Sequence, residues 1–337
     1  MSVNTLGERR LKAIRSAQTS SAWIDRKGWS WIEMSGADRI DLLHRLTTND
    51  LSRLSPGKGI QTVLLTDKAR IIDVLTVMQG TESAHLLGSP GMTDQTIRWL
   101  RKYVIMDDVR LQDRSSEVSM VEICGPRSAD VVAELLGLDV SSAAIGQWTS
   151  CTYGSGEIIV VRLPSIAEVS YWLIGPQHCV DLLREDLSAN QETIPHLSEE
   201  EVEYLRVCAG MGAIGHEWSE AYNPLEAGLL HLTSFTKGCY IGQEVVARLD
   251  SYNKVKQRIM GVVSSAPLEQ GNLVVDNDVT IGVVTSSVRS LDGSLTLALA
   301  YVRGEHAHPH TPIAIVTPQG TVVAEQMLAP LKDATCQ

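Results

Sequence analysis

Between Phe235 and Arg258 the chain gathers a thiol, glycines, carboxylates, amides and five basic side chains: Phe-Thr-Lys-Gly-Cys-Tyr-Ile-Gly-Gln-Glu-Val-Val-Ala-Arg-Leu-Asp-Ser-Tyr-Asn-Lys-Val-Lys-Gln-Arg. That is more chemistry than packing requires, and it centres on Cys239. A cysteine reacts as its thiolate, which Lys237 two residues away and a helix N-terminus just ahead would both favour. The helix is predicted by Ile241, Val245 and Leu249, which recur every four residues. Begun near Gly242, it buries that stripe and turns Gln243, Glu244 and Arg248 towards solvent or a cleft. Gly238 and Gly242 let the preceding backbone turn tightly and approach a ligand. The same residues also fit a plain framework. In that reading Cys239 is a small buried hydrophobe, Lys237 a surface charge, and Glu244 with Arg248 a helix pair contributing ~0.2–0.5 kcal/mol.

The run Lys237-Gly238-Cys239-Tyr240-Ile241-Gly242-Gln243-Glu244 resembles the K-G-C-Y-x-G-Q-E signature of the YgfZ-type folate-binding proteins. These are relatives of the glycine-cleavage T-protein (aminomethyltransferase) that support iron–sulfur cluster assembly or repair. The resemblance implies a tetrahydrofolate pocket and iron–sulfur client or assembly proteins as partners. It makes Cys239 the reactive or cluster-contacting thiol and Lys237 the charge that biases it. Tyr240, Gly242, Gln243, Glu244 and Arg248 would shape the pocket.

A second chemical candidate is Asp73 in Ile71-Ile72-Asp73-Val74-Leu75. Strand alternation puts it on the face of Ile71 and Leu75. A carboxylate there is costly without partners, so it either faces solvent on a half-exposed sheet or waits for a ligand. Leu46-Thr47-Thr48-Asn49-Asp50, Pro56-Gly57 and the stretch Leu64 to Asp73 resemble the T-protein pattern ahead of the folate pocket, where an acid of this strand is treated as catalytic. The match is incomplete: Ala69 stands where glycine is usual, and Val74 replaces a second acid. Arg206-Val207-Cys208-Ala209-Gly210 and Asn223-Pro224-Leu225-Glu226 are similar to further family segments, which adds Arg206 and Glu226 as cofactor-binding candidates. Cys208 stands where the family usually has a glutamate that holds the pteridine, pulling the resemblance towards the YgfZ branch. A one-carbon transferase, with Asp73 positioning or deprotonating the amine, is the alternative.

Composition bounds the classes. The 337 residues allow two or three domains, and 44% hydrophobic with 20% charged residues is ordinary for a globular chain. A formal charge of −11 argues against a general nucleic-acid or anionic-membrane binder, although Lys254, Lys256 and Arg258 supply a local basic patch. Six cysteines show no C-x-x-C and no zinc spacing, and free thiols suit a reducing compartment. With no signal-peptide core and no apolar run of bilayer length, a cytoplasmic protein is expected. His306, His308 and His310 alternate but lack neighbouring carboxylates or thiols other than Glu305, so no metal site is assigned.

The elements follow from punctuation and period. The first twenty residues read as a loosely held polar arm, and Trp23 to Met34 as one strand. Ser35 with Asp38 resembles a capping box, and Ser198 with Glu201 is a clean one. Residues 92–105 read as a helix with Ile97, Leu100 and Val104 inward. The order strand, helix, strand, strand, helix over 118–184 suggests a ferredoxin-like split βαβ layer. After Arg258, six short strands with a hairpin signal at Asp292-Gly293 indicate a small barrel. The fold expected is α+β: a T-protein-like arrangement around a central folate opening, with ferredoxin-like layers and a C-terminal β-barrel. Its parts would be 20–114, a middle domain 115–195, a return segment 196–256 that completes the first layer, and a barrel 257–334.

Overall fold

The computed structural model describes residues 3–251 and 255–331. Chain contacts divide it into two units, Met1–Leu64 with Asp73–Val202, and Leu65–Ile72 with the chain from Glu203 onward. The first unit opens with α1 (Val3–Thr19), β1 (Ala22–Asp25), β2 (Ser30–Ser35) and α2 (Arg39–Leu46). It continues through β3 (Lys58–Leu65), β4 (Ile71–Gln79), β5 (Ser83–Gly88), α3 (Thr93–Arg101) and β6 (Arg110–Asp113). Then come β7 (Val118–Cys124), α4 (Ser128–Leu136), β8 (Trp148–Tyr153), β9 (Gly156–Arg162), β10 (Ser170–Pro176) and α5 (Gln177–Ala189). One sheet runs β3-β4-β5-β2-β6 and the other β1-β7-β10-β9-β8.

Alternation explains how the second sheet is covered on both faces. Val121, Ile123, Tyr171 and Leu173 point to one side, where Val131 and Val132 of α4 and Val180, Leu183 and Leu187 of α5 cover them. Met120, Trp172 and Ile174 point to the other and meet Trp31, Met78 and Leu87 of the first sheet. Glu122 lies fully buried in β7, held by Arg26 and by the hydroxyls of Ser165 and Ser170.

Several expectations are corrected. The polar start is helix α1, because Ala13, Ile14 and Ala17 make a narrow buried stripe at helical spacing. The expected strand from Trp23 to Met34 is two strands in different sheets, broken at Gly28, whose φ of 73° suits a turn. The stretch from 22 to 25 therefore belongs with the middle sheet and not with a first domain 20–114. The layer over 118–184, by contrast, takes the split βαβ form expected: β10 pairs antiparallel with both β7 and β9, so those two run parallel with a strand between them and α4 in their connection. No capping box forms at Ser35: the Asp38 carboxylate accepts from the backbone N–H of Asp108 instead. Helix α3 stops at Arg101, so Val104 lies beyond it, half-buried.

The second unit holds the turn between β3 and β4, most of α6 (Glu199–Ala209), α7 (Gln243–Ser251) and the barrel. Residues 203–251 thus group with the barrel, because their contacts are made there and to the 65–72 turn. Ser198 and Glu201 form the predicted capping box at the start of α6. The six barrel strands are β11 (Gln257–Ser264), β12 (Leu273–Asp276), β13 (Val279–Arg289), β14 (Thr296–Arg303), β15 (Pro312–Thr317) and β16 (Gly320–Met327). They close in the order β11-β14-β13-β12-β15-β16, with Gly293 at φ 72° in the β13–β14 hairpin. Interior positions Val262, Val274, Val284, Ala298, Ala300 and Ile315 fill it.

Candidate functional site

The thiol segment precedes α7 as a strap that its own residues hold in place. Gly242 has φ 82°, and a Cβ there would meet the carbonyl oxygen of Thr66 at 3.0 Å and Ala69 Cα at 3.1 Å. Only glycine suits both that backbone and that approach. Ala69 is itself at φ 56°, which explains why glycine is usual there in the family that the sequence resembles. Lys237 and Tyr240 turn inward: both are buried, with the Lys237 Nζ 5.0 Å from the centre of the Tyr240 ring. Burial pushes the Tyr240 phenol up to about 12. Cys239, between them, turns outward and is exposed, whereas Cys124, Cys179 and Cys208 are buried and Cys151 is half-buried. Cys336 lies outside the described residues.

The helix begins at Gln243 as expected, but its buried side chain is Val246; Ile241, Val245 and Leu249 are half-buried. Gln243 is half-buried beside the strap. Glu244 and Arg248 are 85% and 61% exposed and form an i,i+4 ion pair at 2.5 Å. That is the framework role, of ~0.2–0.5 kcal/mol. Lys256 and Arg258 are exposed, and Lys254 lies outside the described residues.

Asp73 belongs to the first unit and is fully buried, so the solvent-facing expectation is corrected. Its Oδ1 accepts from the Val74 N–H at 2.8 Å, and the Ser89 N–H lies 3.3 and 3.2 Å from its two oxygens. Among the described residues no cation reaches it; loss of hydration pushes its pKa up to about 6, against the opposing pull of these N–H groups and of the Ser89 and Thr96 hydroxyls. The Thr96 hydroxyl is close enough to act on the charge without meeting hydrogen-bond geometry. The carboxylate fits only because residue 88 is glycine: a Cβ there would stand 2.7 Å from Asp73 Oδ2. A proton-transfer group must reach the substrate, and this one has no exposed surface.

In the second unit Arg206 is buried and commits all five N–H donors to protein acceptors. Nε and Nη2 meet Glu203, Nη1 meets Met211 O and Glu217 Oε2, and Nη2 also meets Ser286 Oγ. Glu217, wholly buried, takes further bonds from Thr285, Ser286 and the Ala213 N–H. Arg206 therefore has no donor left for a cofactor and serves as framework between α6 and the barrel. Glu217 carries no periodic or motif signal in the sequence, and its partners at 285 and 286 are nearly seventy residues away. Glu226 is the opposite case. It is buried, and its Oε2 accepts from the Asn223 N–H at 3.2 Å and lies 3.7 Å from Arg70 Nη1. Its Oε1 accepts no hydrogen bond among the described residues. Also among the described residues, no group of three metal-ligating side chains converges, and no helix is long and apolar enough to cross a membrane.

Helix-covered sheets followed by a closed C-terminal barrel make this an α+β chain. Residues 8–237 match the GCVT N-terminal domain and residues 257–333 the glycine cleavage T-protein C-terminal barrel domain. The chain belongs to the glycine cleavage T-protein family. It is 30% identical, over 84% of its length and 66% of the relative's, to a chloroplastic protein of Arabidopsis thaliana named provisionally as a transferase. It is 27% identical to an aminomethyltransferase of Chlorobium luteolum, over 70% of its length and 66% of the relative's. The matches thus span just under two thirds of these two relatives. The crystal structure of the glycine cleavage system aminomethyltransferase T from Bartonella henselae superposes with a TM-score of 0.85 at 19% identity, over 97% of this chain and 90% of that one, which shows a shared fold.

Proposed function

We propose that the chain is a tetrahydrofolate-binding accessory protein that supports assembly or repair of iron–sulfur enzymes, with Cys239 as the thiol presented to the client. The observation that carries this reading is the exposure of Cys239 on a strap whose neighbours, Lys237 and Tyr240, are buried as its footing. A thiol kept at the surface by buried flanking residues is placed for another molecule. The burial of Asp73 supports the same reading, since the acid expected to meet a transferred amine has no access.

The residues fit the folate. A reduced pterin offers N–H donors, and Glu226 holds a buried carboxylate whose Oε1 has no donor among the described residues. It would take the place of the glutamate that the family pattern has at Cys208. Tyr240, Gly242 and Gln243 would border the ligand, while Glu244 and Arg248 satisfy each other at the surface. When bound, tetrahydrofolate supplies a nucleophilic nitrogen that accepts one-carbon units; the chain's part is to hold and orient it.

The test is complementation. A strain lacking this protein, with reduced iron–sulfur enzyme activity, should recover with the parent chain and fail to recover with Cys239→Ala present at equal abundance. Equal recovery by both would remove Cys239 from the function. The second reading, an aminomethyltransferase, is favoured by the names of several relatives. Transfer from an aminomethylated carrier protein to tetrahydrofolate, abolished by Asp73→Asn, would establish it instead.

A further inference from the structure

We propose that Arg70 is a specificity-determining residue that selects a 4-oxo over a 4-amino pterin beside Glu226, an inference that rests on the tetrahydrofolate reading above. Its place follows from local bonds within the second unit. Asn223 Oδ1 caps the turn that follows it, accepting from the backbone N–H groups of Leu225 and Glu226 at 3.0 Å each. The Glu226 side chain turns back in return, and its Oε2 accepts the Asn223 N–H at 3.2 Å. The β3–β4 turn is tied to the same segment: the Ile71 N–H donates to Tyr222 O at 3.1 Å, and Arg70 Nη1 donates to Ala221 O at 2.8 Å. Tyr222 is stacked on the wholly buried Tyr301, with 3.6 Å between ring centres. Arg70 and Glu226 are therefore held at a fixed separation, with Nη1 3.7 Å from Oε2.

Both side chains keep polar atoms in reserve. Glu226 is 5% exposed, and its Oε1 accepts nothing among the described residues yet stays open to solvent, unlike the sealed amide oxygen of Gln79. Nε and Nη2 of Arg70 likewise meet no acceptor among the described residues, and the side chain is 42% exposed. Oε2 is the carboxylate oxygen nearer the guanidinium, so the row from Oε1 through Oε2 to Arg70 reads acceptor, acceptor, donor. The 2-amino group, N3–H and O4 of a 2-amino-4-oxo pterin read donor, donor, acceptor, which is its complement, and Oε2 has a second lone pair for the N3–H. A 4-amino pterin carries a donor in place of O4 and sets it against the guanidinium. A site built to pair one polar group rejects the ligand that lacks it. The turn that carries Arg70 is also the one that Gly242 of the thiol strap packs against.

The experiment is anaerobic calorimetric titration of the full chain with tetrahydrofolate and with tetrahydroaminopterin, which differs from it at position 4 alone. The parent should hold tetrahydrofolate at least about tenfold tighter, and Arg70→Leu should bring the two ligands within about twofold of each other. Glu226→Gln should weaken both at least about tenfold, because the Asn223 N–H keeps the amide oxygen at the Oε2 place and turns the NH2 against the 2-amino group that both ligands carry. The ratio measured on the parent tests the proposal even where a variant misfolds by circular dichroism. Equal affinity of the parent for the two ligands, a preference that survives Arg70→Leu, or parent-level affinity in Glu226→Gln would overturn it and leave the folate reading standing. No binding of tetrahydrofolate by the parent would overturn both.

Discussion

Replacing Asp73 with asparagine should remove a pH dependence that the structure assigns to one carboxyl group. Burial raises that group from 3.8 to about 6 in the folded chain. Below pH 3.8 both folded and unfolded states hold the proton, and the group has no effect. Between 3.8 and about 6 only the folded state holds it, so stability falls as pH rises; above that range the full cost stands. A shift of about two units corresponds to about 3 kcal/mol. Asparagine cannot ionise, though its amide places an N–H where Asp73 Oδ2 accepts, at a cost of about 1–3 kcal/mol that does not vary with pH. The assay is urea unfolding of parent and variant from pH 4 to pH 7.5. The stability of Asp73→Asn relative to the parent should climb by about 2 kcal/mol across that range, the first part of the cost being already present at pH 4. A difference that stays flat would show that the carboxylate is hydrated or paired, and the reasoning from burial would fail.

Other substitutions bear on the same account. Gly88→Ala should destabilise by about 1–3 kcal/mol, read as a lower urea midpoint, because the new methyl meets the Asp73 carboxylate at 2.7 Å. Arg206→Met strands the buried Glu217 charge and should cost about 3–5 kcal/mol, whereas a cofactor role would leave stability intact and change only ligand affinity. Gly242→Ala forces an alanine to φ 82° against the 66–69 turn, and a loss of about 1–2 kcal/mol or more is expected by thermal unfolding. Glu244→Gln should change stability by no more than about 0.5 kcal/mol, since it removes only an exposed helix pair.

The barrel is legible in the sequence because its strands are short, alternate regularly and are separated by turns of Gly, Asn, Asp and Pro, and all six appear. The same holds for α6, whose capping box is a local signal that the chain obeys. Helix α1 is not legible: three small or branched residues among charged ones carry its burial, and composition outweighs them. The break between β1 and β2 is hidden because both halves look like strand, and only pairing partners far along the chain, at Cys124 and Gly88, separate them. At the candidate site, types and spacing reveal Cys239 and its helix but not which side chains turn inward. Lys237 looks like a surface charge and is buried, and Arg206 looks available and is saturated. Such outcomes depend on groups tens of residues away, which local pattern does not encode.

The most direct test of the central claim is calorimetric titration of the parent chain and of Cys239→Ala with tetrahydrofolate. The account predicts saturable binding with the same affinity in both, because the pocket is built by neighbours of an outward-facing thiol. No binding by the parent, or binding that disappears with the thiol, would contradict it.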